Sequence, residues 1–170
     1  VAEADKAFAG KKYENAIDLY TSAKAIKADE KYPDSQIALI NKTIKEDQAR
    51  LDAAYNNAIK QGSDLLTQKK YEEARGQFVQ AKSLKPNELL PQNKITEIDN
   101  IISQLERQKA EAERTLAAYR AKVADADKAF SAKDYIDATR LYKEAKTIKS
   151  DETYPDDQIA KINANIKAEK

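Results

Sequence analysis

The sequence contains no cysteine, no histidine, no methionine and no tryptophan. Without cysteine there can be no disulfide and no thiolate metal site. Without histidine the chain lacks the usual general base near neutral pH and the most common ligand of transition metals. The lack of methionine, with a start at Val1 inside a repeat, leads us to expect a piece of a longer protein. These absences weaken the case for an enzyme or a metalloprotein.

Glycine and proline are also scarce, with three and four residues in a chain of 170. Because both residues interrupt helices, their scarcity predicts a nearly continuous helical chain. No apolar run approaches the roughly 20 residues that span a bilayer, so we expect no direct membrane insertion. The 30 basic and 29 acidic side chains leave a net charge of +1. We therefore expect no nucleic-acid partner.

What the sequence does contain is one segment present in three copies. Residues 4–45 (the first copy) recur at residues 126–167 (the third copy) with 26 of 42 positions identical, and a weaker second copy lies between them. In each copy an aromatic residue lies between two alanines at spacings of 4 and 3, which places the three on one helix face. In the first copy this helix should run from about Tyr13 to Lys27. The positions are Ala16, Tyr20 and Ala23; Ala74, Phe78 and Ala81; and Ala138, Tyr142 and Ala145.

A proline followed by isoleucines at helical spacing marks a second helix in each copy. Pro33 with Asp34 suits a helix start, because proline fits the first turn and a carboxylate favours the positive end of the helix dipole. In the second copy the apolar spacing continues far beyond the proline and is broken only at Lys109. A helix from about Gln92 to Ala132 would be roughly 60 Å long. The pattern predicts short and very long helices in alternation, and no sheet.

These recurring residues resemble the tetratricopeptide (TPR) repeat, whose pattern places tyrosine, alanine, an aromatic, a second alanine and a final proline in one helical hairpin. The second copy matches best, whereas Ala28 and Ser150 replace the final proline in the other two. The resemblance implies a helix-turn-helix hairpin and is silent about a ligand. The matching residues of the second copy are Gly62, Leu65, Tyr71, Ala74, Phe78, Ala81 and Pro86.

The repeat period departs from that family. Successive turn tyrosines, Tyr13, Tyr71 and Tyr135, are 58 and 64 residues apart, whereas a TPR unit has about 34 residues. We predict one all-α, elongated array of TPR-like hairpins linked by long helices, as an α-solenoid of three-helix bundles, with units near 1–57, 58–118 and 119–170. The motif of Tyr, Pro and Asp before the isoleucines also resembles repeats of large bacterial envelope proteins. That resemblance implies a periplasmic or cell-envelope location.

Acidic residues cluster before the second helix of the outer copies. Their oxygen atoms could hold a hard cation. The spacing is not that of an EF-hand, however, and helix capping in a solvated loop is the favoured interpretation. The residues are Asp29, Glu30 and Asp34, and Asp151, Glu152, Asp156 and Asp157.

Five repeated tyrosines could form a stacking platform for a ligand: Tyr13, Tyr20, Tyr71, Tyr135 and Tyr142. Their helical spacing favours instead a place in the hairpin core, with the hydroxyl at its edge. Tyr32 and Tyr154, each just before a proline, either fasten the loop to the long helix or remain exposed for a partner.

Ten residues form a candidate partner-binding face, by resemblance to TPR hairpins, whose first helix lines a concave surface. The alternative is that they pack on a neighbouring helix, because the long period disturbs the groove. They are Asn56, Ile59, Ser63, Leu66 and Thr67 in the second copy, and Arg120, Val123, Asp127, Phe130 and Ser131 in the third.

The sequence therefore favours a non-enzymatic protein–protein interaction scaffold, or a spacer, within a larger protein. The alternative is a self-assembling module in which the Ile/Leu stripes of different chains pair as coiled coils. We expect a protein or peptide partner, possible weak self-association, and no cofactor, metal or catalytic residue, because no nucleophile–base pair, phosphate loop or cofactor motif is present.

Overall fold

The computed structural model describes residues 1–168. All regular structure in this range is α-helical and no strand occurs in it, so the all-α prediction is confirmed. The helices are α1 (Ala2–Ala9), α2 (Tyr13–Ile26), α3 (Lys31–Thr67), α4 (Tyr71–Leu84), α5 (Leu89–Ser131), α6 (Tyr135–Ile148) and α7 (Tyr154–Ala168). The predicted order began with the helix at Tyr13, so α1 is an addition to it.

The short helices α2, α4 and α6 each follow a tight turn, and the three turns share one backbone conformation. Lys11, Lys69 and Lys133 have φ angles of 56°, 59° and 60°, in the left-handed region that commonly ends a helix. After α3, the backbone N–H of Lys70 donates to the carbonyl oxygen of Leu65 at 3.0 Å. This hydrogen bond satisfies one of the free carbonyls at the end of the helix. The chain can therefore reverse within three residues.

The long helices begin slightly before their prolines. Pro33, Pro91 and Pro155 lie within the first three residues of α3, α5 and α7 and are buried. The first turn of a helix has no internal acceptor for its N–H groups, so the N–H that proline lacks is not missed there. The start predicted at Pro33 is thus two residues late. The predicted helix Gln92–Ala132 is observed as Leu89–Ser131.

The chain divides into two compact units, Val1–Asp99 and the residues from Asn100 onward. In the first unit α2 packs against α1 and α3, and α4 packs against α3; in the second unit α6 packs against α7. The repeat boundaries predicted near residues 57 and 118 fall inside α3 and α5, because long helices are shared between successive copies of the sequence.

Small residues and single large aromatics build the cores. In the first unit Ala4, Ala16, Tyr20 and Ile40 form one fully buried cluster. In the second unit Ala126, Ala138, Tyr142 and Ile162 form its counterpart. Alanine at the contact lets the helix backbones approach closely, and the aromatic ring fills the space beside it. Of the five tyrosines predicted in the hairpin core, Tyr20 and Tyr142 are fully buried there, and Tyr13 and Tyr135 pack against it while partly buried.

Candidate functional site

Three helices of the first unit meet at a carboxylate shared by two tyrosines, which we call the first Asp–Tyr–Tyr cluster (Asp5, Tyr20, Tyr32). Tyr20 on α2 is fully buried, and its hydroxyl donates to the Asp5 carboxylate on α1. The Tyr32 hydroxyl on α3 donates to the same oxygen at 3.0 Å. The two rings meet edge to face, with centroids 6.2 Å apart.

The second unit repeats this arrangement in the second Asp–Tyr–Tyr cluster (Asp127, Tyr142, Tyr154). The Tyr142 hydroxyl on α6 donates to the Asp127 carboxylate on α5 at 2.6 Å. The Tyr154 hydroxyl on α7 donates to the same oxygen at 3.0 Å, and the ring centroids are 6.3 Å apart. Three helices are thus joined through one carboxylate in each unit.

The electrostatics of both clusters keep the phenols protonated. Burial raises the pKa of the Tyr20 and Tyr142 hydroxyls well above the usual value, and the hydrogen bond to the aspartate adds to this effect. The hydrogen bond to Asp5 is the largest cause that raises the pKa of Tyr32. A phenol held in this state donates a hydrogen bond and does not act as a base near neutral pH. The clusters can fasten helices together, and Tyr20 and Tyr142, whose hydroxyls were predicted at the edge of the core, are fully buried.

The middle copy replaces all three members of the cluster. The positions of Asp5, Tyr20 and Tyr32 are taken by Ser63, Phe78 and Leu90. Phe78 is fully buried, and its ring lies where a β-carbon on Gly62 would be only 2.9 Å from Cζ. The equivalent of Gly62 in the outer copies is alanine, at positions 4 and 126. The middle hairpin is therefore held by apolar packing over a glycine.

Four of the seven residues in the acidic clusters considered for a cation pair with lysines: Asp34, Asp151, Glu152 and Asp156. Lys24 pairs with Asp34 across the loop between α2 and α3, and Lys146 pairs with Asp156 at 2.7 Å. In the middle copy the Lys82 ammonium bonds the Gln92 side chain instead. Within residues 1–168 no group of three or more acidic side chains is arranged to hold a metal. These bridges fasten the end of each short helix to the first turn of the next helix.

Half of the ten residues of the candidate partner-binding face are exposed. In the first unit Ser63 and Thr67 donate their hydroxyls to carbonyl oxygens of their own helix, those of Ile59 and Ser63, and in the second unit Ser131 does the same to Asp127. The exposed residues are Asn56, Ser63, Thr67, Arg120 and Ser131.

The other half of the face is partly buried: Ile59, Leu66, Val123, Asp127 and Phe130. Three of these five take part in contacts within the chain. Ile59 packs on the cluster of Tyr55, Ala58 and Ala81, Phe130 packs on the core of the second unit, and Asp127 is the shared carboxylate. That the ten residues bind a partner stays a prediction.

A lysine–tyrosine contact at the C-terminal end of α4 and of α6 was not predicted from the sequence. The Lys85 ammonium lies 4.9 Å from the centre of the Tyr55 ring and 2.7 Å from the Asp52 carboxylate. The Lys149 ammonium lies 5.8 Å from the centre of the Tyr119 ring. Tyr55 and Tyr119 are one repeat apart, and that spacing of 64 residues is the signal that could have identified the pair. Each contact combines cation–π attraction with the burial of a lysine stem.

The first copy has an open groove at the corresponding end of α2. A cavity of about 480 Å³ lies there, lined by Val1, Ala23, Ile26, Lys27, Glu30, Tyr32 and Pro33. We call it the first-repeat groove. Ile26 is 84% exposed, although it occupies an apolar position of the repeat.

Comparison with known proteins finds no family model, no curated protein and no solved structure that matches this chain. No helix within residues 1–168 is both long enough and apolar enough to cross a membrane. Function must therefore be inferred from the arrangement of the residues themselves.

Proposed function

We propose that this chain is a non-enzymatic protein–protein interaction scaffold or spacer, in which TPR-like hairpins linked by long helices form an elongated array. The observation that carries the proposal is the repeated use of the same chemistry to join helices. In each Asp–Tyr–Tyr cluster the carboxylate and both phenols form hydrogen bonds that connect three helices. Residues used in this way hold a shape rather than turn over a substrate.

A periplasmic or cell-envelope location and a protein or peptide partner belong to the same proposal. The location is supported by the resemblance of the repeated motif to bacterial envelope repeats. The partner class is supported by the charge balance of 30 basic and 29 acidic residues, since a strongly basic surface would favour nucleic acid or anionic lipid instead.

Site-specific photo-cross-linking tests the interaction role. A photoreactive amino acid is placed at Asn56 or at Arg120, two exposed positions of the candidate face, and at Asn163, an exposed control on α7. We expect one identified protein to be cross-linked from a position on the face and not from Asn163. Cross-links from Asn163 alone, or none at any position, would contradict the proposed face.

Small-angle X-ray scattering tests the spacer role. A globular protein of 170 residues would have a radius of gyration of about 15 Å. An elongated array should give a radius of gyration far above that value. A scattering profile of a compact sphere would exclude a spacer.

Self-assembly through the Ile/Leu stripe is the second candidate. Part of the stripe on α5 is used within the chain, since Ile95, Ile98, Tyr119 and Ala126 are buried. Leu105, 46% exposed, lies in the stretch 103–114, of which every residue is exposed. Sedimentation velocity over a wide range of concentration decides between the candidates: a chain that stays monomeric is not a self-assembling module.

A further inference from the structure

A cavity opens beside the first Asp–Tyr–Tyr cluster, where α1, α2 and α3 meet. Its volume is about 220 Å³, and of its lining residues only Tyr32 also lines the first-repeat groove. Because Tyr32 is 46% exposed, a ligand can reach the cluster from solvent. The lining combines three aromatic rings, a carboxylate and an amide, with no lysine or arginine from residues 1–168: Asp5, Phe8, Ala9, Tyr20, Tyr32 and Gln36.

The Asp5 carboxylate keeps one oxygen available for a ligand. Both tyrosine hydroxyls donate to the same oxygen, Oδ1. Among residues 1–168 no hydrogen bond or ion pair engages Oδ2 of Asp5, and none engages the side-chain amide of Gln36. An ionised carboxylate can accept hydrogen bonds at both oxygens, and a partly buried charge is stabilised by a partner. The unused acceptors therefore favour a ligand that is positively charged and donates hydrogen bonds.

The second unit carries the same side chains at five of these six positions, with serine in place of Ala9. Both tyrosines again donate to Oδ1 of the aspartate, and Tyr154 is 40% exposed. Helix α5 begins at Leu89, far before Asp127, so the exposure of this tyrosine does not depend on a short preceding helix. The equivalent residues are Asp127, Phe130, Ser131, Tyr142, Tyr154 and Gln158.

The middle copy replaces all six residues and reverses the charge. Ser63 stands in place of Asp5, and Lys94 stands in place of Gln36. The Lys94 ammonium pairs with Glu97 at 2.7 Å. Because Gln36 takes no part in the hydrogen bonds of the Asp–Tyr–Tyr cluster, the joining of helices does not account for its replacement. The other four residues of the middle copy are Leu66, Thr67, Phe78 and Leu90.

We propose that this cavity, called here the ammonium pocket, binds the ammonium group of a lysine side chain of a protein partner. The ammonium donates to Oδ2 of Asp5 and to the side-chain oxygen of Gln36, and the rings of Phe8 and Tyr32 attract the cation and cover its stem. Arginine fits less well, because guanidinium binds a carboxylate through both oxygens and two phenols already share Oδ1. This inference rests on the proposed scaffold function, because it names the group by which such a scaffold holds its partner.

An NMR titration of the intact, ¹⁵N-labelled chain tests the inference. The probe is a blocked tripeptide of glycine, lysine and glycine. Two matched peptides carry arginine or Nε-acetyllysine in the middle, and acetylation removes the charge. With the lysine peptide we expect saturable shifts at Phe8, Tyr32 and Gln36 and a dissociation constant in the millimolar range, because one side chain makes the contact. The arginine peptide should bind at least about threefold more weakly, and the acetylated peptide should not bind.

The substitution Gln36→Lys introduces the residue that the middle copy has at this position. A second ammonium group repels the ligand, so the lysine peptide should bind at least about tenfold more weakly. The matched control is Asn41→Lys, which makes the same change of charge at an exposed position of α3 outside the cavity. Circular dichroism confirms that both variants stay folded, and Asn41→Lys should bind as the unmodified chain does.

Three results of this titration would overturn the inference. They are the absence of saturable shifts, equal binding by Gln36→Lys, and shifts of equal size at Ser63 and Leu90 of the middle copy. The last result would mean that the peptide binds the surface without selecting the pocket.

A free amine is a different source of the same ammonium group, and n-butylammonium tests it. Shifts at the pocket with n-butylammonium but not with the lysine peptide would identify a small amine as the ligand and overturn the inference. Failure of both probes, while cross-links from Asn56 or Arg120 still identify a partner, would remove the ammonium pocket and leave the scaffold function standing.

Discussion

The outer copies of the repeat join their helices through a partly buried carboxylate, whereas the middle copy joins the equivalent helices through a buried phenyl ring. In the outer copies Tyr20 and Tyr142 bury a hydroxyl and give it an aspartate as acceptor. In the middle copy Phe78 has no hydroxyl, and Ser63 stands where the aspartate would be. All three rings are fully buried.

The aspartate and the two tyrosines of the cluster are thus either all present or all replaced in a given copy of the repeat. A buried hydroxyl without an acceptor costs about 1–3 kcal/mol, so a tyrosine without its aspartate would be worse than phenylalanine. Within residues 1–168 no buried side-chain nitrogen or oxygen lacks a hydrogen-bond partner. The middle copy satisfies that condition because the Phe78 ring has no polar atom and the Ser63 hydroxyl donates to the backbone of its own helix.

Alkaline pH should have the largest effect and should act on the outer copies. Because burial raises the pKa of Tyr20 and Tyr142, the folded chain holds these protons more tightly than the unfolded chain, whose tyrosines have a pKa of about 10. Their contribution to stability is complete below pH about 10 and is lost as pH rises above it. The measurement is tyrosinate absorbance together with helical circular dichroism. We expect the last tyrosines to ionise as the helix signal is lost; complete ionisation with intact helices would refute this explanation.

Removal of the shared carboxylate should cost more than the corresponding change in the middle copy. Asp127→Ala leaves the buried Tyr142 hydroxyl without its acceptor and should lower the free energy of unfolding by about 1–3 kcal/mol. Ser63→Ala removes an exposed hydroxyl that bonds only its own helix backbone and should change it by less than about 0.5 kcal/mol. Urea denaturation measures both. Equal effects would mean that the cluster does not stabilise the fold.

The polar cluster can be introduced into the middle copy in two steps. Phe78→Tyr alone buries a hydroxyl beside Ser63 and should destabilise the chain by about 1–2 kcal/mol. Ser63→Asp in the same chain supplies the acceptor and should recover about 1 kcal/mol. A double-mutant cycle in urea gives the coupling between the two positions. A coupling of zero would show that the outer geometry does not transfer to the middle copy.

The glycine under Phe78 should resist enlargement, unlike the exposed glycine on the next helix. At Gly62 a β-carbon would lie 2.9 to 3.1 Å from three atoms of the buried ring, and Gly62→Ala should cost about 1 kcal/mol after the gain in helix propensity. At Gly76 nothing lies within 4 Å, so Gly76→Ala should stabilise the chain by about 0.5–1 kcal/mol. Thermal denaturation compares the two variants. Stabilisation by both would show that the ring moves freely.

Replacement of a turn lysine by glycine should have the smallest effect on the free energy of unfolding, and the effect should be the same in all three copies. Lys69 has a φ of 59°, a conformation that costs little for glycine and more for other residues. Lys69→Gly should therefore stabilise the chain by about 0.5–1 kcal/mol. The neighbour Lys70 has a φ of −87°, which glycine does not relieve. Lys70→Gly should therefore be neutral or slightly destabilising, because it only raises the conformational entropy of the unfolded chain. If both variants had the same midpoint in urea, turn strain would not be the reason.

Much of the fold could be predicted because its signals are local. The spacing of Ala16 and Tyr20 predicted α2, and the scarcity of glycine predicted helices as long as α5, whose bounds of Leu89–Ser131 differ from the prediction by a few residues. The boundaries shifted where proline sits inside the first turn rather than at its start. Helix α1 was missed because eight residues offer too little periodicity to stand apart from the turn that follows.

The site was less predictable because its contacts join distant residues. Asp5 was not singled out, although it accepts hydrogen bonds from tyrosines 15 and 27 positions away. Asp127 was placed on a partner-binding face by resemblance, and the structure shows it inside the second cluster. A carboxylate in a polar helical sequence looks like any solvated residue until the helices that surround it are known.

The sequence by itself determined that this protein is all-α, that its helices alternate in length and that a repeat of 58 to 64 residues relates them. Helix periodicity and turn chemistry act over a few residues, so they can be seen without a structure. Only the tertiary structure decided which carboxylate receives the tyrosine hydroxyls, and that Lys85 and Lys149 lie against the rings of Tyr55 and Tyr119. Those facts depend on helix packing, which brings together side chains that the sequence separates.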